Sequence, residues 1–240
     1  PANFEMEVLK YFPAVFNWNR KLLEKVNNGI FIPHFNYKCA KDFENFNHII
    51  LPFEKRKREI LFVSNYRESL HNSGLYKLRV DSADWFYLNS DFEVSWYGSK
   101  ELNRPYYKGK IENKTERITQ SQFLFCPENC YDEYYSWDYL TEKLFDGFVG
   151  QAIPIYAGCY NIDSYIPDDL YVDLRKFNNS INGNLEIDFN KLYETLCVFD
   201  NNGYYKMQES INRYILQTPK LFTDRFSENI YKDVIKKAKN

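Results

Sequence analysis

At 240 residues the chain is long enough to bury a substantial core. Its 21 Tyr and 20 Phe against only 9 Gly exclude a disordered or low-complexity protein. A net charge of -2, from 31 basic and 33 acidic side chains, excludes a general binder of nucleic acid or of anionic membranes.

The first segment, Asn3 to Trp18, places Phe4, Val8, Tyr11, Phe12 and Val15 close to helical spacing, interrupted by Pro13. Gly29 to Phe35 reads as a short strand or extended passage, and residues 36–58 as a polar connection. Within it, Lys55, Arg56, Lys57 and Arg58 read as a solvated turn before a strand. Residue 1 is Pro, so the natural N-terminus is expected to lie further upstream.

From Glu59 the pattern alternates: strand Ile60–Ser64, helix Tyr76–Asn89, strand Phe92–Tyr97, helix Glu112–Gln120, strand Phe123–Cys126, helix Asp138–Gly150, strand Ile153–Tyr156, strand Leu170–Leu174. Strands that alternate with helices predict βαβ units and a Rossmann-like α/β domain, with a parallel sheet and helices on both faces. Helices Phe189–Phe199, Tyr204–Leu216 and Leu221–Lys239 follow. The one weak boundary falls near residues 50–58.

Cys39, Cys126, Cys130, Cys159 and Cys197 form no CxxC pair, so reduced thiols are expected. His34, His48 and His71 are too widely spaced for a zinc set. Asp81, Asp84, Asp91, Asp168 and Asp169 are scattered without a DxD, so no metal-bound diphosphate is expected. No apolar run approaches the roughly 20 residues of a membrane span.

Ligands of open α/β sheets sit at the carboxyl ends of strands, which directs attention to the loop Pro127–Trp137 and the helix after it. Leu140, Leu144 and Phe148 recur at i, i+4 and i+8 and are expected to face the core. Lys143 lies near the start of that helix, where the dipole disfavours a cation unless something negative is beside it. That points to a phosphate-bearing ligand, with Glu142 available to ligand hydroxyls and Asn129 able to donate and accept. Tyr131, Tyr134, Tyr135 and Trp137 either form a platform for a ring or pack the loop onto the sheet.

The ordered series FLFCPEN at 123–129, DYLTEKL at 138–144, IPIYAG at 153–158 and Tyr165-Ile166-Pro167 resembles the donor-binding signature of glycosyltransferase family 10, the α1,3/4-fucosyltransferases. The resemblance is carried by residues 121–177 and extends from about Ile60 to the end. It implies the C-terminal, nucleotide-sugar-binding lobe of a two-lobed GT-B enzyme, and inverting transfer of fucose from GDP-fucose to a glycan acceptor. Residues 1–50 would then be a remnant of, or connection to, an acceptor lobe, and 51–240 the donor lobe. GDP-fucose would be a substrate, with no tightly bound cofactor and no nucleic-acid partner. No membrane span is expected in this chain, which leaves room for peripheral membrane association.

Carried over by position, Asn129, Tyr139, Glu142 and Lys143 fall on donor-site positions, and Arg79, with Arg67 as the alternative, on that of an arginine facing the diphosphate. Pro127 stands for the usual Phe, Cys130 for the usual Ser, and the loop between Asn129 and Tyr139 is longer than in bacterial members. These departures bear on donor identity. Another nucleotide sugar, or a non-catalytic nucleotide- or glycan-binding module, remains an alternative. No general base is assigned, since Glu5, Glu7 and Glu24 match no motif.

Overall fold

The computed structural model describes residues 5–32, 51–68, 73–180 and 185–217. The expected helix over Asn3–Trp18 is realised as a single turn, α1 (Met6–Leu9), because Pro13 interrupts it and the chain extends into β1 (Val15–Asn17). After α2 (Arg20–Leu23), capped by Asn19, β2 (Gly29–Phe31) pairs in parallel with β1. Leu9, Val15 and Leu22 form a small core of their own under these elements. The predicted strand through Phe35 ends at Phe31, and residues from Pro33 lie outside the described residues, as does the expected helix Leu221–Lys239.

The main body is a five-stranded parallel sheet of β3 (Lys57–Val63), β4 (Glu93–Tyr97), β5 (Ser121–Phe125), β6 (Ile153–Tyr156) and β7 (Val172–Asp173), in the order β4-β3-β5-β6-β7. The connecting helices are α3 (Tyr76–Asn89), α4 (Lys114–Thr119) and α5 (Glu142–Gly150), and the chain continues through α6 (Phe189–Cys197) and α7 (Asn201–Gln217). Chain order reverses at β3. Right-handed crossovers running in opposite directions put α3 on one face of the sheet and α4 and α5 on the other.

Strand alternation sorts the core. Phe123 meets Phe92 edge-on at 5.4 Å and Phe53 at 6.1 Å, while Leu124 and Pro154 lie toward α5, at Gly147. In register across three strands, Trp96, Phe62 and Phe125 form an aromatic row with centroid spacings of 5.3 and 4.8 Å. Gly150 lets α5 approach α4, because a Cβ there would lie 2.3 Å from Ile118 Cγ2.

Three further expectations need correction. The helix predicted from Asp138 begins at Glu142: Asp138 adopts φ 59, which cannot propagate a right-handed helix, and Thr141 is the N-cap. The strand predicted over Leu170–Leu174 is only Val172–Asp173, because Asp173 caps a 3₁₀ turn over Leu174–Phe177. In the basic cluster, Arg56 is buried instead of solvated and donates to the carbonyls of Leu51, Ser121 and Gly150. Arg58 instead pairs with Asp91 at the surface.

Candidate functional site

A cavity of about 470 Å³ opens at the carboxyl ends of β3, β4 and β5, the position where strand order reverses. Val63, Ser64 and Asn65 continue β3 into it, Tyr97, Gly98 and Ser99 continue β4, and Leu124 to Pro127 and Asn129 continue β5. Helix α5 contributes Glu142, Lys143 and Asp146, and the approach to α4 contributes Lys110, Ile111 and Lys114. Arg67, Tyr76 and Arg79 close the side next to α3. A side chain at Gly98 would place its Cβ 2.5 Å from the Ser64 carbonyl oxygen, so β3 and β4 meet at the rim only because this residue is glycine.

The organising group is Glu128, fully buried and not assigned from sequence. Its carboxylate accepts from Thr141 N at 2.7 Å, Thr141 Oγ1 at 2.8 Å and Lys143 Nζ at 2.9 Å, with Tyr156 OH at 3.4 Å. It therefore fixes the N-cap of α5 and aims the lysine. Gly158, at φ 146, allows this arrangement: a Cβ there would sit 2.2 Å from Glu128 Cβ. Lys143 is thus the second residue of α5, and the negative group that its place on the dipole demands is supplied by the chain itself. Burial opposes its charge, but the carboxylates of Glu128 and Glu142 outweigh burial and hold the ammonium above the usual lysine range. Glu142, 3.7 Å from Lys143, is kept below the usual carboxylate range by that lysine, despite its burial.

Arg79 is buried beneath the loop after β5. It donates to Pro127 O at 2.8 Å, Glu128 O at 2.6 Å, Asn129 Oδ1 at 3.1 Å and Ser64 Oγ at 3.0 Å. Burial lowers its pKa, yet guanidinium remains charged in proteins. Asn129 passes the network on, donating through Nδ2 to Tyr139 OH at 3.1 Å, and Tyr139 packs 5.6 Å from the Trp18 ring. Tyr139 itself does not line the cavity; it braces Asn129, which does. Arg67 is exposed at the rim and has no hydrogen-bond or ion-pair partner among the described residues. Both arginines weighed from sequence line the cavity, Arg79 holding the loop after β5 and Arg67 exposed at the rim.

Asp146 is a second residue at the cavity to which sequence reading gave no role, although its i+4 spacing from Glu142 puts it on the same face of α5. Lys114 Nζ pairs with its Oδ2, and burial pushes its pKa up to about 6 against the pull of that lysine. Burial also raises the Cys126 and Cys130 thiols, Cys130 to about 12.

The loop aromatics pack onto the fold: Tyr131 and Trp137 stack on Tyr160 at 5.5 and 5.9 Å, and none of the four lines this cavity. Glu5, Glu7 and Glu24 are exposed and away from it. Among the described residues no cluster of His, Cys, Asp and Glu could hold a metal ion. No helix of these residues is long and apolar enough to cross a membrane.

The profile of glycosyltransferase family 10 (fucosyltransferase), C-terminal region, matches residues 52–192. A fucosyltransferase-like protein of Arabidopsis thaliana is 28% identical over 98 residues, which are 41% of this chain and 17% of that protein. An α1,3-fucosyltransferase crystallised with GDP superposes with a TM-score of 0.59 at 16% identity, over 87% of this chain and 64% of that one. S. aureus TarM superposes at 0.55 and 10% identity, over 97% of this chain and 46% of that one. BGT of phage T4, in complex with UDP-glucose, superposes at 0.52 and 14% identity, over 87% and 58%. The fold is thus that of the GT-B glycosyltransferases, and the chain spans only part of the length of these relatives.

Proposed function

The chain belongs to glycosyltransferase family 10, and on that premise we propose that it binds GDP-fucose and transfers fucose, with inversion, to a hydroxyl of a glycan acceptor. The observation that carries this reading is the cation set at the chain-reversal cavity, with Lys143 aimed by Glu128 and Arg67 without a partner among the described residues. In an inverting displacement the acceptor oxygen attacks the anomeric carbon as the bond to the diphosphate breaks. The growing negative charge is stabilised by positioned cations. Lys143 offers a point charge and Arg67 a two-pronged one. Glu142, next to Lys143, accepts hydroxyls of the ribose or the sugar.

In this reading Asn129, Tyr139 and Arg79 shape the donor site, with Arg79 acting through the loop carbonyls and Asn129. Residues 51–240 form the donor lobe, and residues 1–50 lead into an acceptor lobe that supplies the general base. GDP release measured across GDP-fucose, GDP-mannose, UDP-glucose and UDP-N-acetylglucosamine, in a protein carrying both lobes, tests it. GDP-fucose should turn over fastest. Preference for another sugar would overturn the donor assignment, and nucleotide binding without turnover would leave a binding module.

A further inference from the structure

We propose that Asp146 reads the base of the donor nucleotide, accepting the paired N–H groups of a guanine edge. The inference rests on the reading above and names the group within that site that selects the nucleoside.

Among the described residues lining the cavity, five are cations and two, Glu142 and Asp146, are acids. A carboxylate beside a diphosphate is repelled, so both acids must meet the hydrogen-donating parts of the ligand. They stand four residues apart on α5, displaced about 6 Å along its axis. Glu142 lies at the helix start beside Lys143, the place that the reading above gives to the phosphates and adjoining hydroxyls. Asp146 lies one turn further on, beside Lys114 and Ile111. A spacing of one turn matches the reach from a ribose diol to the far edge of its base.

The chemistry of Asp146 narrows the base. Lys114 occupies Oδ2, and Oδ1 has no hydrogen-bond partner among the described residues, so the group presents acceptors only. Guanine is the common base that offers two adjacent donors, N1–H and the 2-amino group. Uracil offers one N–H between two carbonyls that a carboxylate repels. Adenine sets its amino group beside an acceptor nitrogen. Tyr97 and Ile111, also in the cavity wall, provide apolar surface for the faces of a planar ring.

The test exchanges the pattern on both sides. Asp146→Asn keeps the shape and an acceptor for Lys114 but places an amide where the carboxylate was. Xanthosine diphosphate has a carbonyl in place of the 2-amino group of GDP, and so matches the amide. Calorimetry with GDP, xanthosine diphosphate and UDP should show the variant losing GDP affinity at least tenfold while gaining xanthosine diphosphate affinity by a similar factor. UDP binding should change little. Unchanged GDP affinity, or an equal loss for all three nucleotides, overturns the proposal and leaves the donor reading intact. Failure of the unaltered protein to bind GDP takes both down. Asp146→Ala, which offers neither pattern, should weaken GDP without gaining xanthosine diphosphate, and a gain there would also count against the assignment.

Discussion

At the scale of single residues, the two arginines separate by what they already hold. Arg79 spends its guanidinium on three oxygens of the loop after β5 and on Ser64, so Arg79→Ala leaves buried acceptors unpaired and should destabilise the fold by about 3 kcal/mol or more. Arg67→Ala, at an exposed site, should leave the melting temperature in place and weaken GDP binding by about 1–3 kcal/mol. Thermal melts and calorimetry on the pair check this, and matching losses of stability would erase the distinction between the two roles. Asp146 makes a pH prediction. Its pKa is about 6 in the folded chain against 3.8 for the ordinary side chain, so between those values the folded state holds the proton more tightly. Stability therefore falls as pH rises through this window, by up to about 3 kcal/mol from this one group. Asp146→Asn should be the more stable protein at pH 7, with the advantage gone below pH 4. A denaturation series across pH 4–7 measures it.

At the scale of elements, helix α3 at Tyr76–Asn89 and strand β6 at Ile153–Tyr156 are legible to the residue. The start of α5 is not. The four residues from Asp138 look helical, but Asp138 is held in a left-handed turn by Arg20, Asn161 and Tyr165, partners that only the fold brings near. The same logic explains the site. Asn129, Glu142 and Lys143 are legible in a motif, whereas the role of Glu128 depends on Thr141 and Tyr156, which sequence distance hides. Gly158→Ala tests how strictly the β6 loop supports that carboxylate. Pushing Glu128 off Thr141 and Lys143 should lower nucleotide affinity about tenfold or more, with strain of about 1–3 kcal/mol at the left-handed φ. A variant with ordinary GDP affinity would mean that the loop shifts without disturbing the carboxylate.

At the scale of the whole molecule, the parallel order β4-β3-β5-β6-β7 explains why residues from positions 63 to 146 converge on one cavity. The β-α alternation made that architecture readable, while residues 1–50 show no comparable pattern. Yet this first segment is tied in. The Asp138 carboxylate, with no exposed surface, accepts from the backbone N–H of Arg20 at 3.1 Å and from its guanidinium at 2.8 Å, and Lys21 pairs with Glu133 at 2.6 Å. Arg20→Ala should lower stability by about 1–3 kcal/mol in a denaturant titration, and a null result would mean that Tyr165 and Asn161 suffice. The practical consequence concerns where a recombinant fragment is cut. Residue 51 is the tidy place by pattern, but a protein begun there would leave the Asp138 carboxylate without either Arg20 donor and with only Asn161 and Tyr165 to hold its turn, at the threshold of the helix that bears Lys143. Fragments meant for soaking or screening should keep residues 5–32, and losses of yield in shorter ones should be traced to Asp138 before the five-stranded sheet itself is blamed.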